Sequence, residues 1–568
     1  MRRLRGLPAI PAATFYNGIL RYKTRNEDRS LMNFATPTGF RDILPQEAAL
    51  RESLGSRCQA LFAARGYVPV ETPTLELMDV MERGGRIPDS PFRLFDSAGS
   101  LLAMRPDVTL QVARMCATRL ADQPGPFRFR YQQRVFRQTE PETSNRELTQ
   151  VGIECIGEDG TAVDAEVIGL LVDALDVCGL KDFRISLGTV AVLNDLLDAA
   201  SDDPAWKRAV RRAYHETNFV DLAELTQAGN GKPVYLQAIR QLPSLRGGRE
   251  AIEQVRALTE PLGCADGIDA LAQSYAALEE AGLADRVLVD FSVISSFDYY
   301  TGIIFEVYSR QLGTPLGSGG RYDDVLSAYG QARPAAGFAF YLDLVMNAVD
   351  ADAAGERPLR IAVPKGSLNG DTIACLAQAG LDTAGLDDPG RQLIISNPGV
   401  DYIIVRAQDA PVFVALGAAD CGICGKDSLV EAGLDVVELV DLRFGACRFV
   451  VAEPEGAREA VEDRYRRTGS IRVTTKYPRI TRAYYDRKGV QVEIVQLHGN
   501  IELGPLIGMS ERIVDITATG TTLRENHLEI VDDVMAATAR FFANTCAFRT
   551  DPRITALART LERNVNEQ

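Results

Sequence analysis

Between Val349 and Leu359 the chain reads Asp350-Ala351-Asp352-Ala353-Ala354-Gly355-Glu356-Arg357-Pro358. Small and charged residues of this kind have nothing to bury, so 350–357 is expected to be a linker. An apolar helix-like run, Leu342 to Val349, precedes it, and a fresh strand, Arg360 to Val363, follows. A chain of 568 residues is too long for one hydrophobic core, so a break of this kind is required somewhere. It divides the chain into units at 33–349 and 358–568, and neither contains an internal repeat or a low-complexity segment.

The two units have different secondary-structure patterns. In the first, Leu54, Cys58, Leu61 and Phe62 recur at helical spacing within Glu52 to Arg65, and Gly66 ends the run. Phe127 to Val135 and Thr301 to Tyr308 alternate as strands do. Long strands with few short crossovers predict an antiparallel sheet with helices on one face, an α+β domain. In the second unit, short apolar strands (Ile361–Val363, Tyr402–Val405, Cys421–Cys424, Val514–Ile516) alternate with helices. That is an α/β pattern, whose ligands gather beyond the strand C-termini. Glu529–Asn544 and Arg553–Asn564 both read as helices.

Charge and composition exclude several functions. A net charge of −15 argues against a general nucleic-acid binder, although a local donor cluster can still bind an anion. Ten irregularly spaced cysteines imply no disulfide framework, and Cys421-Gly422-Ile423-Cys424 sits in an apolar run suited to packing. With three histidines, His215, His498 and His527, a histidine metal site is not expected, and no protein-held metal is assigned. No run approaches the roughly 18 apolar residues of a membrane span, so a cytoplasmic protein is expected. Residues 1–32 are expected to be a leader, disordered or preceding a true start at Met32. Seven basic residues against two acids in 1–31, without a compact apolar core, do not make a signal peptide.

The stretch Val514-Asp515-Ile516-Thr517-Ala518-Thr519-Gly520-Thr521-Thr522-Leu523 is an apolar strand, a small hydroxyl-rich turn and a helix start. Small side chains let backbone N–H groups reach phosphate oxygens, Thr hydroxyls add donors, and a helix N-terminus adds partial positive charge. Asp515 stands where ribose hydroxyls would lie. The stretch resembles the phosphoribosyl-diphosphate (PRPP) loop of phosphoribosyltransferases, which implies that Thr517, Ala518, Thr519, Gly520, Thr521 and Thr522 hold the 5′-phosphate.

The first unit, over 33–349, resembles the catalytic core of histidyl-tRNA synthetase, a class II fold. Thr38 to Pro45 is similar to its N-terminal signature and Gly66-Tyr67 to Glu71-Thr72-Pro73 to motif 1. Met104 to Thr109, Val135-Phe136-Arg137 and Gln150 to Glu154 resemble the amino-acid loop and motif 2. Asp298-Tyr299-Tyr300-Thr301-Gly302 and Gly319-Gly320-Arg321-Tyr322-Asp323 resemble the histidine-specific segments. Two departures matter. Ser295-Ser296, before Phe297-Asp298-Tyr299-Tyr300, stands where the family has an Arg-Gly pair, and Leu344 stands where motif 3 ends in Arg. Loss of cations that stabilise phosphoryl charge costs powers of ten in rate, so aminoacylation is not expected. The amino-acid pocket is retained in Asp107, Thr109, Arg137, Gln150, Glu154, Tyr299 and Tyr300. The resemblance therefore implies a histidine sensor, as in the regulatory subunit of ATP phosphoribosyltransferase.

The second unit resembles the short form of the catalytic subunit of the same enzyme. Ile361 to Leu368, Val405 to Asp409, Gly425-Lys426-Asp427, Thr475-Lys476-Tyr477-Pro478 and His498 to Glu502 are similar to its strand-end loops, though Ser367 stands where the family often has Arg. The resemblance implies a two-lobed, type II periplasmic-binding-protein-like catalytic domain, with a second lobe at about 451–512. It implies a glycosyltransferase joining ATP to PRPP, with Mg²⁺ as cofactor and Lys365, Arg406, Lys476, Glu502 and Asp515 as catalytic residues. ATP, PRPP and histidine are the implied partners, and a homo-oligomer, a tetramer of fused chains, is expected. The chain is expected to carry no further ligand domain after these elements. Two alternative readings are a ligand-binding fusion without turnover and a degraded histidyl-tRNA synthetase.

Overall fold

The computed structural model describes residues 36–85, 91–138, 145–227, 231–293, 300–310, 312–352, 357–517 and 520–567. The expected leader, residues 353–356 of the linker, and Ser295, Tyr299, Ala518 and Thr519 lie outside them. Among the described residues, no helix is long and apolar enough to cross a membrane.

The first unit is built on a nine-stranded sheet. From edge to edge its strands are Val68–Pro69, Phe127–Phe136, Glu147–Ile156, Ala335–Tyr341, Gly317–Arg321, Ile303–Ser309, Phe183–Thr189, Val287–Asp290 and Arg246–Gly247. Neighbours are antiparallel except for the Val68–Pro69/Phe127–Phe136 and Phe183–Thr189/Val287–Asp290 pairs. Period-two alternation sorts the two faces. Val151, Ile153 and Cys155 point to one face, against the helices Pro45–Ala64 and Thr161–Cys178. Phe129, Tyr131 and Val135 point to the other, which a single-sided arrangement would leave bare. Here that face is covered by the helix Thr109–Thr118 and a three-stranded sheet, so the one-face expectation is corrected. Gly66, at φ +87°, ends the first helix as its left-handed cap. Between Phe183–Thr189 and Val287–Asp290 the chain inserts a bundle of helices running from Ala191–Ala200 to Asp266–Glu280.

The last helix of this unit, Leu342–Asp352, runs into the expected linker. Arg357 beyond it is docked on Asp420 at 2.7 and 3.0 Å.

The second unit has two lobes. The first holds a six-stranded sheet ordered Ile394–Asn397, Val400–Arg406, Leu359–Lys365, Cys421–Gly425, Ala539–Ala543, Val437–Asp441. The second holds a five-stranded sheet ordered Val492–Gln496, Ile471–Thr475, Arg512–Thr517, Cys447–Pro454, Leu528–Ala537. The chain crosses between lobes twice, at 442–446 and at Thr538, and the crossings are joined by Ala539 N→Phe444 O (2.9 Å) and Thr538 Oγ1→Asp441 Oδ1 (2.7 Å). The second-lobe sheet thus draws on residues 447–537, beyond the expected 451–512.

Glu529–Asn544 is not a helix. Leu528–Ala537 and Ala539–Ala543 are strands of different lobes. Ile530, Val531, Val534 and Met535 mimic a helical stripe because pairing with Cys447–Pro454 shifts register twice, which breaks strict alternation. The β-branched residues among them favour the strand. The final helix, expected at Arg553–Asn564, is observed as Pro552–Glu567.

Cys421 and Cys424 are fully buried in the first-lobe sheet, as the packing reading expects. Strands also approach closely in the first unit. A Cβ on Gly317 would lie 2.3 Å from the Ala339 carbonyl oxygen and 2.5 Å from Phe340 Cα. Backbone atoms cannot yield as a flexible side chain does. Gly317→Ala is expected to destabilise the first unit by about 1–3 kcal/mol, read as a lower thermal unfolding midpoint.

Candidate functional site

Two sites emerge, one in each unit. In the first, Gln150 and Glu154 alternate inward on the Glu147–Ile156 strand, facing the start of the helix Thr109–Thr118. Glu154 is 1% exposed. Its Oε1 accepts from Thr109 Oγ1 at 2.7 Å and Tyr131 Oη at 3.1 Å, and its Oε2 accepts from Tyr322 Oη. Asp107 Oδ1 accepts from Gln150 Nε2 and from the Val108 amide, both at 2.8 Å. Arg137 donates through Nε to Pro106 O at 2.9 Å and lies over the Tyr341 ring. Asp107, Thr109, Arg137, Gln150 and Glu154 therefore converge in one buried polar pocket, and Tyr300 packs against Gly320 and the apolar cluster on that face of the sheet. Tyr131 and Tyr322 complete the pocket but were absent from the sequence-derived set. A Tyr alternating into a strand's buried face needs a partner for its hydroxyl, and within Phe127–Phe136 that rule singles out Tyr131.

Burial pushes the Glu154 carboxyl up to about 8, against the donors that favour its charge. Gly337 stands directly opposite on the neighbouring strand, where a Cβ would meet Glu154 Oε2 at 2.1 Å. Only glycine leaves room for that acid. Leu344, at the motif 3 position, packs against the apolar core of the first unit and offers no cation.

The second site lies between the lobes, at strand C-termini. Lys365 and Arg406 end adjacent parallel strands and stand in register with one another. Both are exposed, and neither side chain makes a hydrogen bond or ion pair among the described residues. In the second lobe, Thr475 pairs with Val514, so Lys476 and Asp515 follow on neighbouring strands. Burial pushes the Asp515 carboxyl up to about 6, opposed by the Ile516 amide and by Lys476, while Glu502 nearby raises it further. A cleft of about 290 Å³ between the lobes is lined by Gln408, Ser428 and Glu431 from one side and Lys476, Tyr477, Gln496 and His498 from the other. Thr517 Oγ1 accepts from the Gly520 amide at 2.8 Å, and Thr521 and Thr522 are exposed. Lys426 leaves the cleft instead, bonding Glu438 at 2.7 Å and Asp221 of the first unit at 3.2 Å. Among the described residues, no three His, Cys, Asp or Glu side chains cluster as a metal site.

A two-lobed unit with cations at the strand ends of both lobes, joined to a unit with a synthetase-like buried pocket, is the arrangement of a phosphoribosyltransferase-type protein. Known proteins divide the same way. The histidyl-tRNA synthetase family model matches residues 39–345, and the ATP phosphoribosyltransferase model matches 406–563. An ATP phosphoribosyltransferase regulatory subunit from Moorella thermoacetica is 36% identical over 313 residues, 55% of this chain and 80% of the relative. An ATP phosphoribosyltransferase from Rubrobacter xylanophilus is 50% identical over 193 residues, 34% of this chain and 89% of the relative. A solved regulatory subunit/histidyl-tRNA synthetase structure from Bacillus halodurans C superposes with a TM-score of 0.54 at 30% identity, covering 66% of this chain and 99% of that one. The chain belongs to the ATP phosphoribosyltransferase family, with regulatory-subunit and catalytic parts in one polypeptide.

The Glu154 environment makes a stability prediction. Its folded value exceeds the ordinary 4.5, so the stabilisation of its neutral form is full below about 4.5 and is lost as pH rises through about 8. Without ligand, the melting temperature of the first unit should fall across that window, and Glu154→Gln should flatten the fall. An equally steep profile in Glu154→Gln would assign the dependence elsewhere.

Proposed function

We propose that this chain catalyses the first step of histidine synthesis, transfer of the phosphoribosyl group of PRPP to ATP, and that histidine bound in the first unit inhibits it. The observation that carries the reading is the cleft. Lys365 and Arg406 emerge side by side from one lobe, and Lys476 and Asp515 side by side from the other. The two-lobed architecture, crossed twice by the chain, supports a periplasmic-binding-protein-like fold, which closes on ligands between its lobes.

The adenine N1 lone pair attacks C1 of PRPP. The N1–C1 bond forms as the C1–O bond breaks, and pyrophosphate leaves with the electron pair. The nitrogen is already a nucleophile, so the demand is electrostatic. Lys365, Arg406 and Lys476 neutralise the departing diphosphate. Asp515, with Glu502, faces the positive charge that the ribose acquires. Thr517 to Thr522 hold the 5′-phosphate, and that binding energy positions the sugar for in-line attack. Asp515 and Glu502 suit Mg²⁺, which binds through one or two carboxylates together with substrate phosphates. Mg²⁺ would add charge neutralisation at the diphosphate. Lobe closure excludes water from PRPP.

In the first unit, Asp107, Gln150 and Glu154 offer the acids and amide that an α-amino group and an imidazole require, and Arg137 offers a cation for the carboxylate. The chain is expected to assemble as a homo-oligomer.

The test is formation of phosphoribosyl-ATP, followed by ultraviolet absorbance, from ATP, PRPP and Mg²⁺ with and without histidine. Turnover suppressed by histidine is expected. Absent turnover would overturn the enzyme reading, and turnover indifferent to histidine would overturn the sensor. Lys365→Ala should raise the KM for PRPP about tenfold or more, the worth of a charged hydrogen bond, while sparing histidine binding. Glu154→Ala should remove inhibition and keep basal turnover. Asp515 must be ionised to act, so the rate should fall as pH drops through about 6. Asp515→Asn should lose that acid limb and about a hundredfold in kcat. A persisting limb would assign it to another group.

A further inference from the structure

The strands Ile303–Ser309 and Gly317–Arg321 form a hairpin whose two ends reach different sites. One end belongs to the Glu154 pocket. Tyr322, directly after the second strand, donates to Glu154, and Arg321 anchors that end on Asp164 at 2.8 Å. The other end is inserted into the second unit. Gly313, between the strands, gives its carbonyl to Asn544 Nδ2 at 3.0 Å. A Cβ on Gly313 would meet Gly417 N at 2.9 Å and Ala415 O at 3.0 Å. Arg549 grips the same strand from below, donating to Glu306 Oε2 at 3.1 Å and to Tyr308 Oη, while Arg310 pairs with Asp551 at 3.2 Å.

The contact continues toward the cleft. Asn544 Nδ2 also donates to Val414 O at 3.0 Å and Ala415 O at 3.2 Å. These carbonyls end the helix Ala410–Ala415, whose start follows directly on Arg406 and Gln408. A seven-residue strand spans about 20 Å, and a paired hairpin is stiff over that length. An open cleft of about 760 Å³ lies beside the clamp, lined by His215, Asp221, Lys426, Asp435, Arg479 and Arg549. At its edge the units touch through Lys426 on Asp221 (3.2 Å) and Glu438 N on Thr217 O (3.2 Å), so the open space leaves the clamp room to shift only between these contacts.

We propose that this hairpin is the element through which occupancy of the Glu154 pocket acts on the phosphoribosyl cleft, with Asn544 and Arg549 as the positioning residues that couple it. The proposal rests on the histidine-sensor reading above. A ligand that competes for Glu154 displaces the Tyr322 hydroxyl, shifts the hairpin along its length and moves the helix Ala410–Ala415, which follows the strand ending in Arg406. Coupling of this kind needs an element with two arrangements that both sites bias.

The experiment uses the full chain and two variants distant from both pockets, Gly313→Ala and Arg549→Lys. Calorimetry reads histidine binding, and the absorbance assay reads basal turnover and the histidine concentration for half inhibition. Each variant should bind histidine and turn over within about twofold of wild type, while half inhibition moves tenfold or more upward. Should Gly313→Ala fail to fold, Arg549→Lys carries the same readouts. If a variant binds histidine and is inhibited as wild type is, the hairpin is not the coupling element. If wild type neither binds nor responds to histidine, the sensor reading fails and this inference falls with it.

Discussion

The seam between the two units turns on one buried carboxamide. Asn544 is 1% exposed and uses every polar atom of its side chain. Its Oδ1 caps the helix Thr545–Thr550 by accepting from Cys546 N and Ala547 N, and its Nδ2 serves carbonyls of both units. A buried amide with unmet valences is costly, so the two units hold each other in one register. Charges reinforce it. Arg246 pairs with Asp290 at 3.0 Å and lies 4.4 Å over the Phe548 ring, joining first-unit strand to second-unit helix.

The same economy of buried polar groups shapes the first-unit pocket. Glu154 sits among three hydroxyl donors in a space apolar enough to favour its protonated form. A carboxyl held this way is a poor anion and a good hydrogen-bonding partner, able to give or take a proton as the ligand demands. The cleft in the second unit has the opposite character. Lys365 and Arg406 stand exposed and charged at strand ends, because the rows of parallel strands terminate together.

Much of this was legible in the sequence. Alternation revealed the long strands of the first unit, and the pocket residues Asp107, Thr109, Arg137, Gln150 and Glu154 converge as their motif positions imply. The strand-end cations were equally legible, since Lys365 and Arg406 end apolar runs of matching length. The seam was not. Gly313 and Asn544 are 231 residues apart, and Tyr308 and Arg549 are 241 apart. No local period records such contacts. Leu528–Ala537 was misread because two register shifts let a strand imitate a helical stripe. Lys426 shows the reverse error of scale, a motif residue whose side chain is taken by Asp221 and Glu438 on the seam.

The order of strands also governs how the molecule is made. Ala539–Ala543 is an interior strand of the first-lobe sheet, lying between Cys421–Gly425 and Val437–Asp441. It leaves the ribosome only after the whole second lobe. Domains emerging earlier fold as units during synthesis, so the first unit is in place before that sheet can close. The strand that closes it leads within one residue to Asn544 and within six to Arg549. Closure of the first-lobe sheet and attachment to its neighbour thus draw on one late stretch of chain, which the final helix Pro552–Glu567 then seals against the same core.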